Sequence, residues 1–348
     1  DIYSPSGKEK EIVNYTSSFL SKHRIDNTLQ FVDKERANIV VNASQKNNFF
    51  FAGHLDTVPA FDLLNYKATE KQGQVFGLGA ADMKGGCAAM LEAFIHYQEM
   101  YGRLPKASLA LVVGEEETDD GIMKLISEYQ FDWALVGEPT ELNIALSHYG
   151  YLELEIKTYG VRRHASLASR DHNAIYTLLN ILQNLTKFLD KYKKKWIYNI
   201  RDVHSSDAGF AVPDKCVALI DLHLPPEVEV NVAKKQLIKE LNSYLKGKRI
   251  ANKDFLFSTV NSGFSLEKDG DLVKKIKSIF KNNQKRWHPV PFKSHSDASF
   301  LWEKGIKPII LGPGELAKAH TKNESVSLKQ VCEAARIYFE MLCSLDKD

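Results

Sequence analysis

Cysteine is scarce and unpatterned in this 348-residue chain: Cys87, Cys216, Cys332 and Cys343 stand alone, with no Cys-x-x-Cys spacing. That excludes a disulfide-built scaffold and a thiolate metal knuckle, and it implies reduced thiols in a cytoplasmic protein. Long hydrophobic runs are lacking too. No stretch approaches the roughly 20 apolar residues a membrane-crossing helix needs, and no charged-then-apolar leader opens the chain. An excess of one charge is absent, since the formal net charge is +2. Neither nucleic acid nor a membrane surface is therefore expected as a partner. The one basic cluster, residues 191–195, ends a helical pattern and reads as a solvated helix terminus. No internal repeat or low-complexity segment is present. The chain begins at Asp1 without an initiator methionine, so a short N-terminal piece is expected to have been lost.

Hydrophobic residues make up 44% of the chain and charged residues 26%, an ordinary balance for a globular protein. At this length two domains are the natural expectation. After an amphipathic helix over residues 8–23, apolar runs at 38–41, 49–52, 75–78, 108–113 and 133–136 predict strands. Helical patterns at 86–101 and 121–128 separate them. Strands that alternate with helices predict an α/β sheet flanked by helices. Near Gly150 the texture changes. Residues 151–158 (YLELEIKT) alternate apolar and polar, as a half-solvated antiparallel strand does. A helix (174–191), two strands (198–203, 216–222), a second helix (232–245) and a strand (255–260) then give a β-α-β-β-α-β order, the ferredoxin-like arrangement. Helix–strand alternation resumes at 272–282, 296–304 and 308–311, with a final helix from Leu328. The expected organisation is a discontinuous catalytic domain, 1–149 and 263–348, with a smaller α+β domain inserted at 150–262.

Chemistry-bearing residues gather at predicted strand ends. The run FFFAGHLDTVPA delivers His54 and Asp56 on one side of an extended chain, where one suits a metal ligand and the other a clamp for its ring. Asp82 follows the Gly-rich GLGAAD, the pair Glu116–Glu117 follows LVVGE, Glu138 follows LVG, and His320 follows GPGELAKA. Open α/β sheets place their sites beyond the carboxyl ends of strands. Two histidines and three carboxylates suffice for a pair of zinc ions ~3.5–4 Å apart when one carboxylate bridges them. Mixed nitrogen and oxygen ligands without thiolates favour zinc, with cobalt or manganese as substitutes. The triple Glu115–Glu117 offers both a ligand and a general base from adjacent positions.

Taken together, GHLDTVP, GLGAADMKGG, EEET, VGEPT and the late Gly-Pro-Gly…His resemble the zinc-dependent family of acetylornithine deacetylase, succinyl-diaminopimelate desuccinylase, glutamate carboxypeptidases and aminoacylases. The likeness runs from about Ser4 to Ser325. It implies that Asp82 bridges two zinc ions, with His54 and Glu138 completing one site and Glu117 and His320 the other. It further implies that Asp56 clamps His54, that Glu116 is the general base, and that a cis peptide follows Asp82. Glu115 then takes the leading-aspartate position of the family's Asp-Glu-Glu-Thr. The resemblance also makes His164 a residue that crosses a homodimer interface, built by the inserted domain, to polarise the scissile carbonyl. The implied reaction is removal of an N-acyl group from an amino acid, with exopeptidase action on di- or tripeptides as the alternative.

The chain departs from the family where a substrate carboxylate is bound. Phe210 replaces the asparagine of Asn-x-Ile/Val-Pro-Asp, and His223 replaces the arginine of Asp-Ile-Arg. Histidine cannot reproduce the bidentate fork of arginine. His223, Arg170, Ser296, Gly312 and Gly314 are the candidate substrate contacts, with Arg162, Arg163 and Arg201 as further sources of positive charge. His172 and Asn173 read as capping groups at the following helix.

Overall fold

The structure, a computed structural model, describes residues 2–43, 48–62, 66–246 and 253–346. The chain divides into two compact units. The first comprises Asp1–Ser147, Leu266–Phe292 and Ser296–Asp348; the second comprises His148–Ser265 and Lys293–His295.

In chain order the first unit opens with α1 (Lys10–Lys22), β1 (Asn27–Phe31), β2 (Ala37–Val41), β3 (Phe49–His54), β4 (Thr69–Lys71) and β5 (Gln74–Phe76). A wide helical turn over Ala80–Lys84 leads into α2 (Gly85–Tyr101), then β6 (Ser108–Val112), α3 (Asp120–Glu128), β7 (Trp133–Val136) and β8 (Ala145–His148), whose last residue, His148, is counted with the second unit. The second unit supplies β9 (Gly150–Tyr159), α4 (Ala174–Tyr192), β10 (Ile197–Ser205), β11 (Lys215–Leu224), α5 (Val230–Leu245), β12 (Lys253–Asn261) and the short β13 (Phe264–Ser265). The first unit resumes with α6 (Asp271–Asn282), β14 (Val290–Phe292), α7 (Ala298–Glu303), β15 (Lys307–Ile310), β16 (Ser325–Ser327) and α8 (Leu328–Leu345).

The main sheet of the first unit follows the path β1-β2-β6-β3-β7-β15-β8, with β14 also on β8. Its four central strands, β6, β3, β7 and β15, run parallel. Every residue of β3 and β6 is buried, as expected for strands covered on both faces. Helix α2 packs on β3 and against α8, α3 packs on β2 and β6, and α7 packs on β15. Parallel strands share one carboxyl end, so the segments after β3, β6, β7 and β15 emerge together at a single edge. A separate antiparallel sheet follows the path β16-β5-β4, with β16 packed on the Ala80–Lys84 turn.

The second unit is built around an antiparallel sheet of order β10-β11-β9-β12. Burial alternates strictly along β9. Leu152, Leu154 and Ile156 join Leu178, Ile181 and Leu185 of α4 and Leu237 and Leu241 of α5 in one apolar core. Asn173 caps α4 as expected, its Oδ1 accepting from the backbone N–H of Ile175 at 2.9 Å. Among the described residues no helix is long and apolar enough to cross a membrane.

Candidate metal centre

The four parallel strand ends converge on a set of imidazoles and carboxylates. His54 is the last residue of β3 and is fully buried. Asp82 sits in the turn before α2, where the Asp82–Met83 peptide is cis. Its two carboxylate oxygens face opposite partners. Oδ1 lies 3.2 Å from His54 Nε2, and Oδ2 lies 3.3 Å from His320 Nε2. Glu138, just past β7, comes within 3.9 Å of His54 Nε2. Glu116 Oε1, past β6, is 3.0 Å from His320 Nε2, and Glu115 Oε2 is 3.8 Å from His54 Nε2.

Two three-residue groups therefore share Asp82: His54–Asp82–Glu138 and Asp82–Glu116–His320. Within each, one ligand atom per residue lies within 4.8 Å of the others. Donors ~2.0–2.2 Å from a tetrahedral ion sit roughly 3.3–3.6 Å apart, and the 3.0–3.9 Å spacings within these groups bracket that range. Charge favours the same conclusion. Asp56, Asp82, Glu138 and Asp297 are all buried here, and buried carboxylates demand a cation or a proton. Burial pushes Glu115 and Glu138 well above the usual carboxylate range, with the charge of Glu138 adding to the rise at Glu115 and that of Asp82 to the rise at Glu138. Burial alone would lower His54, yet Glu115, Asp56 and Asp82 together raise it. Hydrogen bonds to Asp82 and Glu116 lift His320 to about 10. Protons thus stand where divalent cations would balance the charge, and bound cations invert this pattern.

Asp56 acts as a brace. Its oxygens accept from the backbone N–H groups of Glu115 (3.2 Å) and Glu116 (3.0 Å) and from Ser6 Oγ (2.6 Å). One of them also lies 3.5 Å from His54 Nδ1. Asp56 thereby holds the His54 ring, its backbone carbonyl 3.1 Å from Nδ1, while its carboxylate aims the turn that carries both glutamates.

Within the glutamate triplet, Glu115 and Glu116 rather than the expected Glu117 join the grouped side chains. Glu117 is exposed and joins none of the groups. Glu116, expected to be the general base, lies 3.0 Å from His320 Nε2 and groups with Asp82, and Glu115 occupies the inner position near His54. The reason is the turn itself. Thr118 and Asp119 N–H both bond Gly114 O, a tight curl that directs residues 115 and 116 inward and 117 outward.

Other expected residues fall elsewhere. Ser296 is buried, and its Oγ accepts from Ala298 N–H at the start of α7. Gly312 packs so closely on the strand end that a Cβ would lie 2.1 Å from Gly137 O and 2.5 Å from Glu138 O. Gly314 has φ +97°, with its N–H donating to Gln330 Oε1. These glycines shape the backbone that holds Glu138. His164, His223 and Arg170 belong to the second unit. His164 is exposed with Nδ1 on Ser166 Oγ at 2.8 Å, His223 is half-buried beside the Tyr151 ring, and Arg170 lies over Tyr176. Sequence reasoning missed Asp297, which is 1% exposed with neither oxygen hydrogen-bonded. Burial and the charge of Asp56 push it to about 7, against the pull of His54. Its sequence signal was only the polar loop Lys293–Ser299.

Residues 50–344 match peptidase family M20/M25/M40, and the chain belongs to that family. A probable succinyl-diaminopimelate desuccinylase of Staphylococcus aureus strain Mu50 is 28% identical over 208 residues. That alignment covers 56% of this chain and only 50% of the relative, so the chain spans about half the length of that protein. The acetylornithine deacetylase of Buchnera aphidicola subsp. Schizaphis graminum is 29% identical, covering 80% of this chain and 76% of that one. In fold, a tripeptidase from Staphylococcus aureus superposes with a TM-score of 0.81 at 21% identity, covering 100% of this chain and 95% of the other.

Proposed function

We propose that this protein is a dizinc amidohydrolase that removes an N-acyl group from an amino acid, of the acetylornithine deacetylase type. The observation that carries the reading is the Asp82 carboxylate with one oxygen at His54 and the other at His320. His54, Asp82 and Glu138 would hold one cation, and Asp82, Glu116 and His320 the other. When bound, such a pair lowers the pKa of a water and polarises the scissile carbonyl. Glu115 is the residue left to move protons. It is part-buried, has no place in either shared group, and lies beside His54, where it would take a proton from the attacking water and return it to the leaving amine. Asp56 keeps the His54 ring and the Glu115–Glu116 turn in register.

The second unit is the proposed dimerisation element, with His164 donating to the carbonyl oxygen in a partner's site. Phe210 and His223 favour keeping a second reading, exopeptidase action on di- or tripeptides, since neither supplies the carboxylate fork expected of a deacylase. Phe210 is 93% exposed. The test is a zinc-reconstituted assay with N-acetylornithine, N-succinyl-diaminopimelate and a di- and tripeptide panel. Turnover of an N-acyl amino acid is expected. Turnover of peptides alone would replace the first reading with the second, and no amide hydrolysis would overturn both.

A further inference from the structure

We propose that Glu324 is a positioning residue for the shared carboxylate Asp82, and that the segment His320–Glu324 builds the second cation site from two sides. This rests on the two-cation reading above. Glu324 is 2% exposed, and its Oε1 accepts from the backbone N–H groups of Ala81 and Asp82, both at 3.0 Å. The two ends of these bonds are more than 240 residues apart in the chain. Glu324 is itself fixed: its carbonyl accepts from Gly77 N–H at 3.1 Å and its N–H donates to Thr321 O at 3.2 Å. One residue later β16 pairs with β5, Ser325 opposite Phe76.

The geometry makes this bond consequential. Asp82 must present its two oxygens to imidazoles on opposite sides, so a small rotation of its backbone breaks one contact or the other. The N–H groups of Ala81 and Asp82 lie in a buried turn, and without an acceptor there the turn would rearrange to satisfy them. Partners of this kind, hydrogen-bonded behind a ligating carboxylate, change metal affinity by about 10–100-fold. Because His320 lies only four residues before Glu324, one segment supplies a direct ligand and also the support for the ligand both cations share. A carboxylate is not required for this role. Only Oε1 is hydrogen-bonded, while Oε2 has no hydrogen-bond partner, so the amide oxygen of glutamine at the same reach would serve.

The experiment is a Co2+ titration of the metal-free full chain, read by visible absorption and by electron paramagnetic resonance for spin coupling through the shared carboxylate. Wild type is expected to bind two Co2+ and show coupling. Glu324→Asp, one methylene short, is expected to lose coupling and to weaken the second binding step by about tenfold or more. Glu324→Gln is expected to keep both. Coupling and second-step affinity unchanged in Glu324→Asp would overturn the proposal, as would Glu324→Gln failing as badly as Glu324→Asp. A role confined to folding would lower the melting temperature of the metal-free variants without altering the ratio of second-step to first-step affinity, and that outcome also overturns it. Wild type binding fewer than two Co2+ would instead remove the two-cation reading, and this inference with it.

Discussion

Two histidines, one in each unit, are fully buried, and they titrate in opposite directions. His54 in the first unit is raised well above its ordinary value, although burial pulls it down, because Glu115, Asp56 and Asp82 surround it. His148 in the second unit is held at about 3 by burial, with the neighbouring His295 adding to the effect. His148 stacks on the Phe264 ring at 5.4 Å and donates from Nδ1 to Tyr149 O. Burial is the same in both places. What separates the candidate metal centre from a packed core imidazole is the density of carboxylates converging on the ring, which the strand ends of the first unit supply to His54.

The largest expected effect breaks the comparison on the carboxylate side. Glu115→Gln should reduce turnover by about 10²–10⁴-fold with metal content unchanged, measured by steady-state assay and atomic emission. Full turnover in that variant would remove Glu115 from the proton path. Asp82→Ala should next take bound metal from two equivalents to less than one, because both groups share this residue. His320→Ala sharpens the contrast, since its side chain is 48% exposed while that of His54 is not exposed at all. The variant is expected to keep one cation, held by His54, Asp82 and Glu138. Loss of both would show that the two groups are not separable.

His148 offers a test from the other side. Its folded-state value is depressed, so the unfolded chain takes up the proton first as pH falls below about 6.5. Stability from this residue is therefore fully present above pH 6.5 and is lost between there and about pH 3. Each pH unit in that window removes up to ~1.4 kcal/mol. His148→Gln should flatten the dependence of urea midpoint on pH between 7 and 5 relative to wild type, and equal slopes would contradict the assignment. The smallest effect is expected for Glu117→Gln. That side chain is exposed and outside both groups, so metal content and turnover should stay within about twofold of wild type.

Legibility in the sequence followed regularity of structure. Continuous apolar runs marked β3, β6 and β7, and the strict alternation of YLELEIKT marked β9. Strands β1 and β8 went unread because in NTLQF it is the polar Gln30 that is buried while Phe31 is exposed, and ALSH carries neither a continuous nor an alternating apolar pattern. They are ordered by their neighbours in the sheet. Which of the three glutamates points inward was illegible for the same reason, since a curled turn has no period from which to deduce it. Asp297 and Glu324 left no local mark, because their importance lies in what packs around them.

The sequence by itself determined that His54, Asp82, Glu138 and His320 lie at strand ends or in turns next to them, because strands buried on both faces announce themselves and polar residues after them have one edge to occupy. Tertiary structure alone decided that Glu116 rather than Glu117 meets His320, that Asp56 braces the turn which brings it there, and that Glu324 reaches back to the Asp82 backbone. Those outcomes depend on hydrogen bonds between segments tens to hundreds of residues apart, which no local pattern encodes.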